Sequence, residues 1–316
     1  MEQDIDIKNI AYKTNEWLSI KGERNIPITS ADICGGVSYD KVRNEKTTVL
    51  HLGQLKLLMS EICFLTRYMN LKDVLVVYVG AAEGYHISKL ADMFQQMNFE
   101  LYDKGTFAIS ETSNIKIFNR YFNNDDAQNY GEISKTNVVL FISDIRNIPM
   151  NEPKDEGVDE DVEKNVLCDM NMQLEWIRLM KPHASSLKFR LPYNIDDQFK
   201  YLDGYRMLQP YAPFSTEVRL FTDKTEMVCY DCKTFDENMA YFNSSIRNTN
   251  YSRWKELFMI GKIKNNWDNT ISFYILHEYL KKMYDTLDDD MVACLFEGIV
   301  NFLGERYGEK YNRIYF

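Results

Sequence analysis

Two amines and two acids in this chain, Lys56, Asp144, Lys188 and Glu217, are of the types that move a proton to or from a poor nucleophile. An amine can accept the proton of a hydroxyl and hold the oxygen in line for attack, and flanking carboxylates keep that amine aimed. A neighbouring cation favours the free amine, whereas carboxylates favour its protonated form. Positioning alone lowers the barrier of such a reaction by several kcal/mol. Singly, each residue also has a plainer reading. A lysine in a strand is usually a surface residue, and an aspartate after a strand often caps a helix.

Their meaning depends on the elements that carry them. Leu55, Leu58, Ile62 and Leu65 recur at helical spacing and predict a helix over Leu55–Tyr68 that bears Lys56. The apolar runs Val74–Val79 and Asn137–Ser143 are of the kind found in strands covered on both faces. Shorter strands are expected at Phe99–Tyr102, Ile115–Phe118 and Ser186–Phe189, with helices over Glu83–Met97 and around Leu167, Met170, Leu174 and Ile177. This alternation predicts an α/β fold, a mostly parallel sheet with helices on both faces. Two later β-type stretches, Gly204–Leu208 and Glu217–Thr222, are joined by a short proline-containing loop that suits an antiparallel last strand. Asp144 then follows the end of one parallel strand and Lys188 lies in the next. Glu217 opens the antiparallel strand, so all three reach one edge of the sheet. Phe273, Leu276, Leu280, Val292, Phe296, Val300 and Leu303 are the expected core of C-terminal helices.

Open α/β sheets bind ligands at the carboxyl ends of their strands. Here the first strand runs into Gly80-Ala-Ala-Glu-Gly84, whose small residues admit a ligand close to the backbone. Asp103 follows the second strand, 19 residues after Gly84, where such folds keep a carboxylate for a ribose diol. A dinucleotide would want GxGxxG and an anion site at the helix start, and Glu83 repels phosphate there. S-adenosylmethionine carries no phosphate and suits the turn better. A tight turn without a ligand is the plainer alternative.

At 45% apolar and 27% charged, the composition is that of an ordinary globular protein. No window approaches the roughly 20 apolar residues of a spanning helix, and the first residues do not read as a signal peptide. A cytoplasmic protein with no membrane partner is therefore expected. The net charge of −10 argues against a surface coated in basic residues for nucleic acid. Half of it, a net −5, comes from seven acids against two lysines between Asn151 and Asn165, a stretch expected to be a solvated loop. The six cysteines are scattered and read as reduced thiols. Cys229-Tyr-Asp-Cys232 lacks the second pair a zinc site wants, so no metal is expected.

Five blocks occur in order: Gly53-Gln-Leu-Lys-Leu-Leu58, Val77-Tyr-Val-Gly-Ala-Ala-Glu-Gly-Tyr-His-Ile87, Ile142-Ser-Asp-Ile-Arg146, Ala184-Ser-Ser-Leu-Lys-Phe-Arg190 and Met207-Leu-Gln-Pro-Tyr-Ala-Pro-Phe-Ser-Thr-Glu-Val-Arg-Leu220. Through them the chain resembles, from about Leu52 to about Leu303, the poxvirus cap-specific mRNA 2′-O-methyltransferases, which are also small subunits of the viral poly(A) polymerase. The resemblance implies a Rossmann-like, S-adenosylmethionine-dependent methyltransferase fold. Independently of the resemblance, residues 1–48 show no sustained period and read as an N-terminal arm, and no boundary demands a second domain within residues 49–316, which end in a helical embellishment. The implied reaction moves a methyl group to a ribose 2′-hydroxyl beside the 5′ cap. Lys56, Asp144, Lys188 and Glu217 become a catalytic tetrad with Lys188 as central base. Gln54, Tyr78, Gly80, Gly84, Asp103 and Phe122 become the lining of the methyl-donor pocket.

The same resemblance makes Tyr193 one ring stacking on the methylated guanine and Tyr39 a second. Asp236 would read the edge of that base, and Arg190 would add a contact. A positively charged base suits aromatic faces. Implied partners are capped mRNA and the poly(A) polymerase catalytic subunit, in the cytoplasm of an infected cell or in the virion. The chain departs from the family pattern at Glu83 (proline), Tyr85 (a small residue), Gly105 (arginine) and Ile195 (aspartate). A non-catalytic RNA-binding subunit that steadies a poly(A) polymerase is the alternative reading. An amine-directed methyltransferase is disfavoured, because Asp144-Ile-Arg146 lacks the Asp/Asn-Pro-Pro-aromatic run such enzymes usually carry.

Overall fold

The computed structural model describes residues 29–30, 33, 35–37, 50–146, 160–193, 198–213, 215–247, 263 and 266–315. Tyr39 and most of the expected N-terminal arm lie outside them. The chain divides into two compact units. One is built from residues 1–69, 205–215 and 237–316, the other from residues 70–204 and 216–236.

In chain order the elements begin with helix α1 (Gly53–Leu65), strand β1 (Val74–Val79), helix α2 (Tyr85–Met93), and strands β2 (Asn98–Tyr102) and β3 (Ile115–Phe118). Helix α3 (Asn124–Ile133), strand β4 (Val138–Ser143), helix α4 (Glu160–Met180) and strand β5 (Ala184–Phe189) come next. Strands β6 (Gln198–Leu202), β7 (Tyr205–Met207), β8 (Val218–Thr222) and β9 (Met227–Asp231) precede helices α5 (Cys232–Tyr241), α6 (Trp267–Met283) and α7 (Asp289–Tyr307). Among the described residues no helix is long and apolar enough to cross a membrane.

Within the second unit six strands pair in the order β3-β2-β1-β4-β5-β8. The first five are parallel and β8 runs antiparallel to β5, which is the Rossmann-like arrangement expected. The two longest apolar runs form the neighbouring central strands β1 and β4, almost wholly buried. Helix α3 was not expected, because its sequence is polar and buries only Asp126, Ala127 and Tyr130. Its start is fixed by a capping box: the Asn123 side chain accepts from Asp126 N, and Asp126 Oδ2 accepts from Asn123 N, both at 3.0 Å. Arg120 clamps the same carboxylate at 2.6 Å. Nearby, Phe122 meets Tyr102 and Trp176 edge to face at 5.0 and 5.1 Å, and the Trp176 indole donates to Asn124 at 3.1 Å.

Strands β6 and β9, also unexpected, pair antiparallel as a separate two-stranded sheet. The Tyr201 hydroxyl ties it to α4 by donating to Met170 O at 2.8 Å. The expectation of a solvated acidic loop over Asn151–Asn165 fails from residue 160 onward, where the chain is already helix α4. Glu163 there is only 5% exposed.

In the first unit α1, α6 and α7 pack together, and all seven expected core positions from Phe273 to Leu303 are buried. Asn266 and Asp288 cap α6 and α7 through Asn269 N and Met291 N. Arg247 lies against the rings of both Phe242 and Trp267 and pairs with the buried Asp268. Asp268 also accepts from Tyr211 N at 2.7 Å, and Arg247 donates to Gln209 O at 3.0 Å. Burial lowers the guanidinium's pKa and raises the carboxyl's, against the pull of their mutual attraction.

Candidate active site

Register brings the chemistry to one edge. Val79 pairs with Tyr102 on one side and Ser143 on the other, and Ser143 pairs with Leu187. The chain therefore leaves β1, β2 and β4 at the level of Lys188, through Gly80, Asp103 and Asp144. Because β8 is antiparallel, Lys188 faces Arg219 across the strands, and Glu217, two residues before Arg219, leads into β8 at the same edge.

The exit from β4 is set by main-chain contact with the turn after β1. Gly80 N donates to Tyr102 O and Asp144 N to Val79 O, both at 2.9 Å. Gly80 has φ +84°, and a Cβ there would lie 2.8 Å from the Asp144 carbonyl carbon and 2.9 Å from Ile145 N. Only glycine allows the two backbones to approach this closely.

Lys188 Nζ lies 3.2 Å from Asp144 Oδ1 and 3.9 Å from Glu217 Oε2. The three side chains are 12–15% exposed, enclosed by protein yet still open to a ligand. Two arginines hold the acids in place. Arg219, 3% exposed, grips Asp144 and donates to Ser143 O at 3.1 Å. Arg146 donates to Glu217 at 3.0 Å and lies 3.8 Å from the buried Asp169 of α4. Burial works against the Arg219 charge, but the carboxylates of Asp144 and Glu217 outweigh it and hold its pKa above the ordinary arginine value.

Arg146, Asp169 and Arg219 were not singled out from sequence. The signal was present: Asp144 and Arg146, and Glu217 and Arg219, are spaced two apart and can face the same way from extended chain. Lys56 and Gln54 lie on α1 of the first unit, both half-buried.

Around the β1 turn, Asp103 accepts from Ala82 N at 3.0 Å and Gly105 N at 2.7 Å. Gly84 starts α2 at φ +79°, packed against Phe107 and Ile109. Tyr78 and Phe122 are buried, at 1% and 5% exposure, and their rings are engaged in packing. The polar groups here are a half-buried carboxylate and a turn carrying Glu83. They suit a ribose diol and a cationic head, and they repel a phosphate. An adenosyl sulfonium fits this set of groups.

Further along the edge, the Arg190 guanidinium lies 4.2 Å from the Tyr193 ring centroid, and the Tyr193 hydroxyl is 2.7 Å from Thr216 Oγ1. Asp236 sits in α5, half-buried. Ile195 lies outside the described residues. Among the described residues Cys229 is exposed and Cys232 buried, and no cluster of three or more potential ligands could hold a metal.

A mainly parallel sheet with an antiparallel last strand, and a charged cluster at its carboxyl edge, is the Rossmann-like methyltransferase class of fold. Residues 25–305 match the family described as poly A polymerase regulatory subunit, and the chain belongs to that family. It is 28% identical over 306 residues to a fowlpox virus (strain NVSL) protein named cap-specific mRNA (nucleoside-2′-O-)-methyltransferase, covering 86% of this chain and 92% of that one. A myxoma virus (strain Lausanne) protein of the same name is 30% identical over 281 residues, 80% of this chain and 77% of its own. Among solved structures, bluetongue virus VP4, described as a multifunctional RNA-capping production line, aligns with a TM-score of 0.45 at 16% identity. That alignment covers 61% of this chain and 32% of that one.

Proposed function

We propose that this chain, in the cytoplasm of an infected cell, is a cap-specific mRNA 2′-O-methyltransferase that takes its methyl group from S-adenosylmethionine. The observation that carries the reading is Lys188 set between Asp144 and Glu217 beside the turn at Gly80. In this reading Gly80, Gly84 and Asp103 hold the donor, which when bound supplies an electrophilic methyl. The protein's own part is to act on the ribose hydroxyl. Lys188, as free amine, aims the 2′-hydroxyl oxygen and takes its proton as the oxygen is methylated. Asp144 and Glu217 hold the amine in place, and Arg219 and Arg146 hold those carboxylates, so that little reorganisation is left for the reaction. Tyr193 and Arg190 take the cap's methylated base, and Asp236 reads its edge.

The test is incubation with labelled donor and RNAs bearing methylated, unmethylated or absent caps, with the label mapped on the nucleotide. Label is expected on the 2′-oxygen next to a methylated cap. Lys188→Ala is expected to bind S-adenosylhomocysteine normally and to lose at least about a hundredfold in rate. Label on a base, or full activity in that variant, sinks the proposal. Lys56→Ala in the same assay tests the fourth expected residue.

Membership of the polymerase regulatory family favours a second reading, a subunit that lengthens poly(A) tails. It predicts longer tails when the chain is added to a poly(A) polymerase, whether or not Lys188 is intact.

A further inference from the structure

Glu163 is a buried acid that the chemistry above leaves unused. It sits in the first turns of α4 and is 5% exposed, a degree of burial that acids rarely reach unless paired. Both of its oxygens are engaged, and both point toward the same place. Oε1 accepts from Arg190 Nη2 at 2.5 Å, and Oε2 accepts from Tyr193 N at 3.1 Å. Arg190 in turn lies over the Tyr193 ring, its Cζ 4.2 Å from the centroid. The far end of that ring is held as well, by the bond between its hydroxyl and Thr216 Oγ1.

Tyr193 is thus fixed at its backbone, on one face and at its hydroxyl, yet 43% of it remains exposed. An aromatic ring so fully tethered and still so exposed is prepared for a planar partner. With a guanidinium over the ring and no second ring stacked on Tyr193 among the described residues, the opposite face is the one offered for stacking. The arginine's charge is secure: burial opposes it, but Tyr193 and Glu163 outweigh burial and hold its pKa above the ordinary value.

We propose that Glu163 is a positioning residue for cap recognition: by holding Arg190 and the Tyr193 backbone together, it presents one face of the tyrosine ring to the methylated base. The inference rests on the cap-methyltransferase reading above. It adds a residue that touches neither base nor ribose and acts through two that do. A ring left to rotate would lose affinity to the entropy of being ordered on binding, which the brace removes in advance.

The experiment compares wild type, Glu163→Gln, Glu163→Ala and Tyr193→Ala. It measures affinity for 7-methylguanosine triphosphate by fluorescence quenching, affinity for S-adenosylhomocysteine, and kcat and KM for capped RNA. Glu163→Gln keeps the shape and an acceptor for Tyr193 N but loses the charge opposite Arg190, so it serves even where Glu163→Ala does not fold. The expected result is roughly tenfold weaker binding of the cap analogue, the scale of one charge-assisted hydrogen bond, and a matching rise in KM. Affinity for S-adenosylhomocysteine and kcat at saturating RNA should stay unchanged. A split of that kind does not arise from general loosening of the fold.

Wild-type cap affinity in Glu163→Gln, with affinity lost in Tyr193→Ala, overturns the brace and leaves the cap reading standing. Wild-type affinity in Tyr193→Ala removes the cap from this ring and takes the brace with it. A parallel fall in kcat or in S-adenosylhomocysteine affinity for Glu163→Gln reduces Glu163 to a scaffold residue and also overturns the inference.

Discussion

Gly80→Ala puts the link between turn and catalytic cluster to its hardest test, because a single methyl group meets only backbone. The added Cβ would stand 2.8 Å from the Asp144 carbonyl carbon, where ordinary contact begins at 3.4 Å. Relief requires the exit of β4 to retreat by about 0.6 Å, since neither neighbour is a side chain that can rotate away. Added to the present 3.2 Å between Lys188 Nζ and Asp144 Oδ1, that shift carries the pair beyond hydrogen-bond reach. The positive φ of +84° costs an L-residue about 1–2 kcal/mol, and overpacking about 1–3 more. Stability should therefore fall by about 2–5 kcal/mol, and kcat by a factor on the order of ten to a hundred, the scale of a misplacement just under 1 Å. The assay is urea unfolding together with methyl transfer at saturating S-adenosylmethionine and capped RNA, so that weakened donor binding does not masquerade as slower chemistry. Gly84→Ala is the control. Its φ is also positive, but its new Cβ would come closest to side-chain atoms, Cδ1 of Phe107 and of Ile109 at 3.2 Å, and would stand at an ordinary 3.4 Å from the nearest backbone atom, Ala81 O. If Gly80→Ala keeps kcat within twofold and unfolds at the wild-type urea concentration, the turn does not set the position of Asp144.

Asp144→Asn removes the carboxylate that the buried Arg219 grips, and should destabilise the chain by about 3 kcal/mol in urea unfolding as well as abolish turnover; a change under 1 kcal/mol would mean that the arginine is served by its other neighbours. Asp126 supplies a pH dependence. Burial raises its pKa, but the hydrogen bond from Arg120 and that from Asn123 N outweigh burial, and the net shift is downward. A carboxyl with a folded pKa below its unfolded value of about 3.9 stabilises above that value and loses the contribution as pH falls through the folded one. The stability gap between wild type and Asp126→Asn should thus be full at pH 6 and shrink below about pH 4. A gap that stays constant from pH 6 to pH 3 contradicts the assignment.

Much of the second unit was legible in the sequence for a simple physical reason. Strands buried on both faces must be apolar throughout, and Val74–Val79 and Val138–Ser143 are nearly so. Once β8 is read as antiparallel, Asp144, Lys188 and Glu217 reach one edge by topology alone. Arg219 escaped notice because a buried cation in a strand looks like any alternating polar position until its partners are known, and Arg146 because it lies in the loop after β4. Glu163 was concealed by its company: in a run of acids, nothing local distinguishes the one that turns inward. Helix α3 and the β6–β9 pair bury too little apolar surface to leave a strong period. The two-unit organisation was hidden because the first unit is assembled from three separated stretches, so no single composition shift marks a boundary.

Each compact unit holds an indole shielded from water: Trp176 in one, at 3% exposure, and Trp267 in the other, at 0%. The chain is therefore equipped with its own pair of optical reporters. With Trp17 and Trp254 replaced by phenylalanine, removing one of the two buried indoles leaves an emission that follows a single unit. Two such melting curves, laid over each other, tell whether the halves of this molecule come apart together or in turn.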